Sequence, residues 1–140
     1  MSVLGGEFAV IMLASGKWNN VAKLESTLPG LNEQLGLAIN VRRTEERHNQ
    51  DNTVPYSVEV ISLDHPGIVH QLAGFFSGRR INIHDLYTGS YRAAHTGTQM
   101  FSLNMTIEIP ADTHIATLRE QFMEFCDQMN LDAVMEPIKI

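Results

Sequence analysis

From Tyr56 to Ile140 the apolar residues change their spacing four times, and few chain paths satisfy that order. "YSVEVISL", Tyr56 to Leu63, alternates Tyr56, Val58 and Val60 against Ser57, Glu59 and Ile61, which predicts a strand. Ile68, Val69, Leu72, Phe75 and Phe76 then share one face of a helix, and Gly78 is placed to end it. "INIHDLYTGSYRA" and "QMFSLNMTIEI" are the next two strands, joined by a hairpin turn at "AHTGT" and stopped at Pro110. Asp112 or Thr113 is expected to cap a second helix, with Ile115, Leu118, Phe122, Phe125, Cys126 and Met129 as its buried stripe. "LDAVMEPIKI" is the last strand, and Pro137 near its end predicts a sheet edge. The order β-α-β-β-α-β is the split plan of an α+β, ferredoxin-like sandwich, four strands carrying two helices on one face.

The first forty residues repeat part of this order. "GEFAVIMLASG" is expected as a strand, "KWNNVAKLESTLPGLNEQLG" as a helix broken around Pro29-Gly30, and "LAINVRR" as a strand. "SVLG" fits the tail of a preceding strand. "RRTEERHNQDNTVP", Arg42 to Pro55, is polar and reads as a linker. The expected division is therefore a strand-helix-strand unit at 1–42, a linker at 43–55 and a complete module at 56–140.

A net charge of −6 argues against a surface that grips nucleic acid directly, which needs clustered Lys and Arg. The Arg42-Arg43 and Arg79-Arg80 pairs are too small to reverse that. No apolar run reaches the length of a membrane span, and a single cysteine points to a reducing, cytoplasmic setting.

The segment Asp64-His65-Pro66-Gly67-Ile68-Val69 stands where a strand hands over to a helix, and a helix start presents free N–H groups and partial positive charge. Pro66 loses no donor in the first turn, and Gly67 removes a Cβ so that a ligand can approach the backbone. Asp64 can cap the helix or accept from an ammonium group. Asn82, followed by Ile83 at the start of the next strand, offers both a donor and an acceptor. Together these residues suit the two charged ends of a small amino acid. Plain turn chemistry explains the same residues without a ligand.

Other chemistry is thin. His65, His70, His84 and His95 lack metal-ligand spacing, and no nucleophile, base and carboxylate are spaced as a set. Cys126 lies in an apolar stripe as a packed thiol, and Trp18 is expected to begin the first helix and pack under it. The expectation is a protein that is not an enzyme, with no cofactor and no metal.

The D-x-P-G-[IV]-[VL] motif at Asp64–Val69, with "INI" after the helix, resembles the ACT domain family. The tandem arrangement with "FAVIMLASGKWNNVAKLESTLP" ahead of the linker is similar to the family's transcription-regulating members. That resemblance implies an amino-acid-responsive transcriptional regulator working through a protein partner, with glycine as ligand and a DNA-binding activator as partner. It also implies that the N-terminal unit is a half-module, lacking a first strand and helix, so that Phe8–Leu13 and Leu37–Val41 flank an empty slot. The expected outcome is a homodimer in which the half-module pairs with its counterpart across a two-fold axis, with a sheet continued between the two modules of one chain as the main alternative. Two alternatives remain: a dimerisation module with no small ligand, and the detached regulatory piece of an enzyme.

Overall fold

The computed structural model describes Met1–Arg47 and Asn52–Ile138. By internal contacts the chain divides into two units, Met1–His48 and Asn49–Ile140. The expected linker falls partly on residues 48–51, which lie outside the described residues.

The second unit is the ferredoxin-like sandwich. In chain order along the whole protein its elements are β3 (Thr53–Leu63), α2 (Ile68–Ser77), β4 (Asn82–Arg92), β5 (Gln99–Pro110), α3 (Ile115–Gln128) and β6 (Asp132–Pro137), and the sheet order is β4-β5-β3-β6. β3 pairs antiparallel with both β5 and β6, and β4 pairs antiparallel with β5. β3 begins at Thr53, three residues before the expected start: Thr53, Val54 and Pro55 continue the pairing with β5 opposite Pro110, Ile109 and Glu108, and Pro55 lies outside the β3–β6 ladder, which covers Tyr56–Ile61. β6, with Pro137, is an edge strand as its proline predicts.

Alternation builds the core. Tyr56, Val58 and Val60 of β3 and Leu103, Met105, Ile107 and Ile109 of β5 turn toward the helices and are buried. From the helices come Ile68, Leu72, Phe75 and Phe76, then Leu118, Phe122 and Cys126. Phe76 and Phe122 meet with ring centroids 5.2 Å apart, and Phe75 lies 5.0 Å from Phe125, so the two helices are joined by aromatic contacts. Each such side chain contributes about 1.5–3 kcal/mol on full burial. Val69, expected on the buried face, is 37% exposed; at one residue past Ile68 it stands about 100° around the helix from it.

Helix ends differ from expectation. α3 is capped by His114, whose Nδ1 accepts from the Thr117 backbone N–H at 3.3 Å, not by Asp112 or Thr113. The imidazole nitrogen does the work of a carboxylate or hydroxyl oxygen. After α2, Gly78 keeps a right-handed conformation; the left-handed turn comes at Arg80, with φ 58°, and the Ile81 N–H closes it onto Phe76 O at 3.0 Å.

The first unit holds β1 (Ser2–Leu4), β2 (Glu7–Ala9) and α1 (Trp18–Leu35). β1 and β2 form a hairpin around Gly5-Gly6, with Gly5 at φ +61°, so "SVLG" is indeed a strand leading into the next. The expected strand from Gly6 to Gly16 is cut to Glu7–Ala9, and Leu37–Val41 is not a strand. A strand needs a neighbour for its N–H and C=O groups; β1 supplies one for Glu7–Ala9 alone, and among the described residues of this unit neither residues 10–16 nor Leu37–Val41 has one. α1 runs unbroken through Pro29, which costs one i→i−4 bond in an eighteen-residue helix. It closes at Gly36, φ 64°, with Leu37 N–H on Asn32 O at 3.2 Å. Among the described residues of this unit none is buried.

Candidate functional site

β3 ends at Leu63 and α2 starts at Ile68, leaving four residues to turn the chain. Gly67 takes φ 91°, ψ −1°, the torsions of the third position of a type II turn, and Pro66 holds the second position that proline favours. Pro66 therefore lies in the turn before α2, not in its first turn. An added Cβ at Gly67 meets nothing within 4 Å, so glycine is required by the positive φ and not by crowding. The first intrahelical bond runs from Gln71 N–H to Gly67 O at 3.0 Å, which leaves the N–H groups of Ile68, Val69 and His70 pointing out of the helix start.

No side chain caps this end. Asp64, expected as a cap, instead uses its backbone N–H, donating to Gln99 O at 3.1 Å and tying the loop to the start of β5. His65 Nδ1 lies 3.3 Å from Pro66 O. Asp64, His65, Pro66 and Gly67 are all exposed, Ile68 is buried in the core and Val69 is at the rim. The structure thus gathers Asp64–Val69 into one uncapped helix start, exposed except at the buried Ile68.

Asn82 and Ile83 stand elsewhere. Leu63 pairs with Met100, whereas Asn82 pairs with Glu108, eight residues farther along β5. At about 3.3 Å per residue that is a separation of roughly 26 Å along the sheet. A helix between parallel strands returns the chain to the end where the first strand began, so the start of β4 cannot lie beside the end of β3 in one chain. Asn82 Nδ2 donates to Glu108 Oε2 at 2.8 Å, and Ile83 packs against the core. Groups that sequence reasoning did not single out do neighbour the loop: Gln99, and Arg92 paired with it across the hairpin. The hairpin between β4 and β5 was the signal for them, since it must close at the same sheet end as Leu63.

The remaining candidates are structural. Cys126 is buried, and burial, with Asp127 alongside, pushes its thiol up to about 11. Trp18 opens α1 but is 75% exposed, with the Arg43 guanidinium 5.9 Å from its ring centroid and Arg43 Nε 2.6 Å from Glu25. Among the described residues no three His, Cys, Asp or Glu side chains converge on a metal-sized point, and no helix is long and apolar enough to cross a membrane. A shallow depression along α3, bordered by Ile115, Arg119, Met123 and Asp127, contains none of the residues expected at a site.

Residues 1–42 match the family model described as ACT domain. The chain is 29% identical over 130 residues to the glycine cleavage system transcriptional repressor of Escherichia coli K12, covering 93% of this chain and 68% of that protein. The crystal structure of a protein assigned as a glycine cleavage system transcriptional repressor superposes with a TM-score of 0.68 at 23% identity, over 89% of this chain and 70% of the other. An ACT domain protein from Streptococcus pneumoniae gives 0.51 at 19% identity, over 61% of this chain and 91% of that one.

Proposed function

We propose that this chain, a regulatory ACT-domain protein similar along most of its length to a glycine cleavage system transcriptional repressor, responds to a small amino acid and acts on transcription through a protein partner. The observation that carries the ligand role is the uncapped start of α2. Its free N–H groups and helix dipole suit a carboxylate, and the exposed Asp64 side chain, a few residues before, suits an ammonium group. Glycine offers both charges with no side chain to accommodate, and it is the amino acid that the relative's name points to.

Assembly brings Asn82 into the same picture. β4 is an edge strand of eleven residues with one free side. Antiparallel pairing of two β4 edges about a two-fold axis near Tyr87 sets Asn82 of one copy opposite Arg92 of the other. Arg92 is paired with Gln99, whose carbonyl accepts from Asp64. The two halves of the expected site, about 26 Å apart within one sheet, would then meet across the dimer.

Calorimetry of the whole chain against a panel of amino acids, glycine included, tests the ligand role. Heat for one or a few small amino acids, abolished by Gly67→Val, is the expected result; silence across the panel at millimolar ligand rejects sensing. A pure dimerisation module is the second reading, favoured by the same long β4 edge. It predicts that Asn82→Ala and Gly67→Val alter oligomerisation while no amino acid binds.

A further inference from the structure

The sheet of the second unit has helices on one side only, and its other side combines exposed apolar groups with acids. The register sets Tyr91, Met100 and Leu63 in one row across three strands, then Gly89, Ser102 and Ile61, then Tyr87, Asn104 and Glu59. Val134 lies beside Glu59, and Glu136 beside Ser57 in the next row. Leu63 and Tyr87 are 59% and 68% exposed, and Ile61, Tyr91 and Val134 are each close to half exposed. Five such side chains on one flat surface exceed the scattered apolar exposure of an ordinary surface.

The same face carries Glu59, Asp85, Glu108, Asp132 and Glu136. Among the described residues no Lys or Arg holds a position on it. Arg79 and Arg80 follow α2, Arg119 is in α3, and Arg92 closes β4 on the helix-facing alternation. The whole net charge of −6 belongs to this unit: residues 49–140 hold eleven acidic and five basic side chains, residues 1–48 five of each.

We propose that this open sheet face docks a protein whose surface is cationic with apolar side chains between the charges, the kind of surface that binds nucleic acid. A second copy does not fit, because it would set five carboxylates against five. The docking role rests on the proposed regulation through a partner, and it adds where that partner sits and what recognises it. Covering a basic DNA-binding surface with this face is itself a means of repression.

Binding of a synthetic helical peptide with Lys on one side and Leu on the other, followed by amide shifts of the ¹⁵N-labelled whole chain, tests the proposal. Shift changes are expected on open-face positions of β3, β5 and β6 and to weaken with salt. Glu59→Lys with Glu136→Lys is expected to lower affinity at least about tenfold. Glu120→Lys with Glu124→Lys on α3, an equal change in charge, should leave it within about twofold, since those groups lie outside the docked area and are screened beyond about 8 Å. Shifts on α3, equal weakening by both pairs, no binding at millimolar peptide, or self-association that covers Ile61 and Leu63 on the open face of β3, away from the β4 edge, would each overturn it. The free chain's own spectrum reports folding of each variant. Because no amino acid is present, a failed ligand role and a failed docking role are read separately.

Discussion

Asn82 Nδ2 donates to Glu108 Oε2 at 2.8 Å across the β4–β5 pair, and Oε1 of the same carboxylate stands 3.2 Å from His84 Nδ1. The β4 register is irregular between Ile83 and Asp85, so one carboxylate holds the strand just before the bulge, at Asn82, and at the unpaired residue His84 itself. Glu108→Ala is expected to cost about 1–2 kcal/mol in urea unfolding, at the low end of what a hydrogen bond to a charged group contributes because the pair is only part-buried. Glu108→Gln should cost less, because an amide oxygen still accepts from Asn82. Equal stability of all three proteins would remove any clamping role.

Gly67 makes a different prediction. With φ at 91° and open space where a Cβ would go, Gly67→Ala meets backbone strain but no clash. A loss of about 1 kcal/mol is expected. Gly78→Ala is the contrast: φ there is −63°, and the added Cβ lies 3.1 Å from Gly74 O, so its cost depends on how far that turn can yield. Thermal melts of the two variants separate strain from crowding.

The second unit was legible because each strand repeats a two-residue code that one face of the sheet reads. Val58 and Val60 against Ser57 and Glu59 could belong to nothing else, and Leu72, Phe75 and Phe76 match the helical period in the same way. Caps were less legible, since His114 is not a usual capping residue and Arg80 takes a conformation that Gly78 was expected to supply. Leu37–Val41 misled because strand-forming residues form a strand only beside a partner. Asn82 joins the loop in the sequence reading only as the polar residue that opens the next strand. The crossover topology, itself read correctly, already placed it at the other end of the sheet.

Phe122 is fully buried between Phe75 and Phe76. Phe122→Ala is expected to destabilise the second unit by about 3–5 kcal/mol, comparable with the total stability of a small domain. Phe125→Ala, at a half-buried site, should cost clearly less. Reversal of that order in chemical denaturation would mean that α3 packs through a different stripe.

Cys126 links packing to pH. Its thiol ionises near 11 in the fold against 9.0 when free, so the folded state holds its proton longer than the unfolded state. The neutral form's contribution to stability is complete below pH 9 and is lost as pH rises from there toward 11. Cys126→Ser should flatten that part of the stability profile while lowering stability at neutral pH, because a hydroxyl replaces a packed sulfur. Iodoacetamide at pH 8 should label the native chain far more slowly than the urea-unfolded one. Equal labelling rates would show that the thiol is exposed.

Hydrogen exchange on the whole chain tests the contrast between the units. Val58 and Val60 lie on a central strand paired on both sides, over a core of fully buried aromatic and aliphatic side chains, so their amides should exchange only by global opening. In the first unit Ile11, Met12 and Leu13 are 97%, 81% and 80% exposed, and Trp18 at the start of α1 has no buried neighbour in that unit. Hydrophobic surface left in water contributes nothing to stability, so α1 is held mainly by its own backbone bonds. Its amides should exchange orders of magnitude faster than those of β3 in dilute solution. Protection of Val10–Leu13 that grows with protein concentration would identify a second copy as the element that covers them, and protection that is strong and independent of concentration would overturn the picture of a unit without a core.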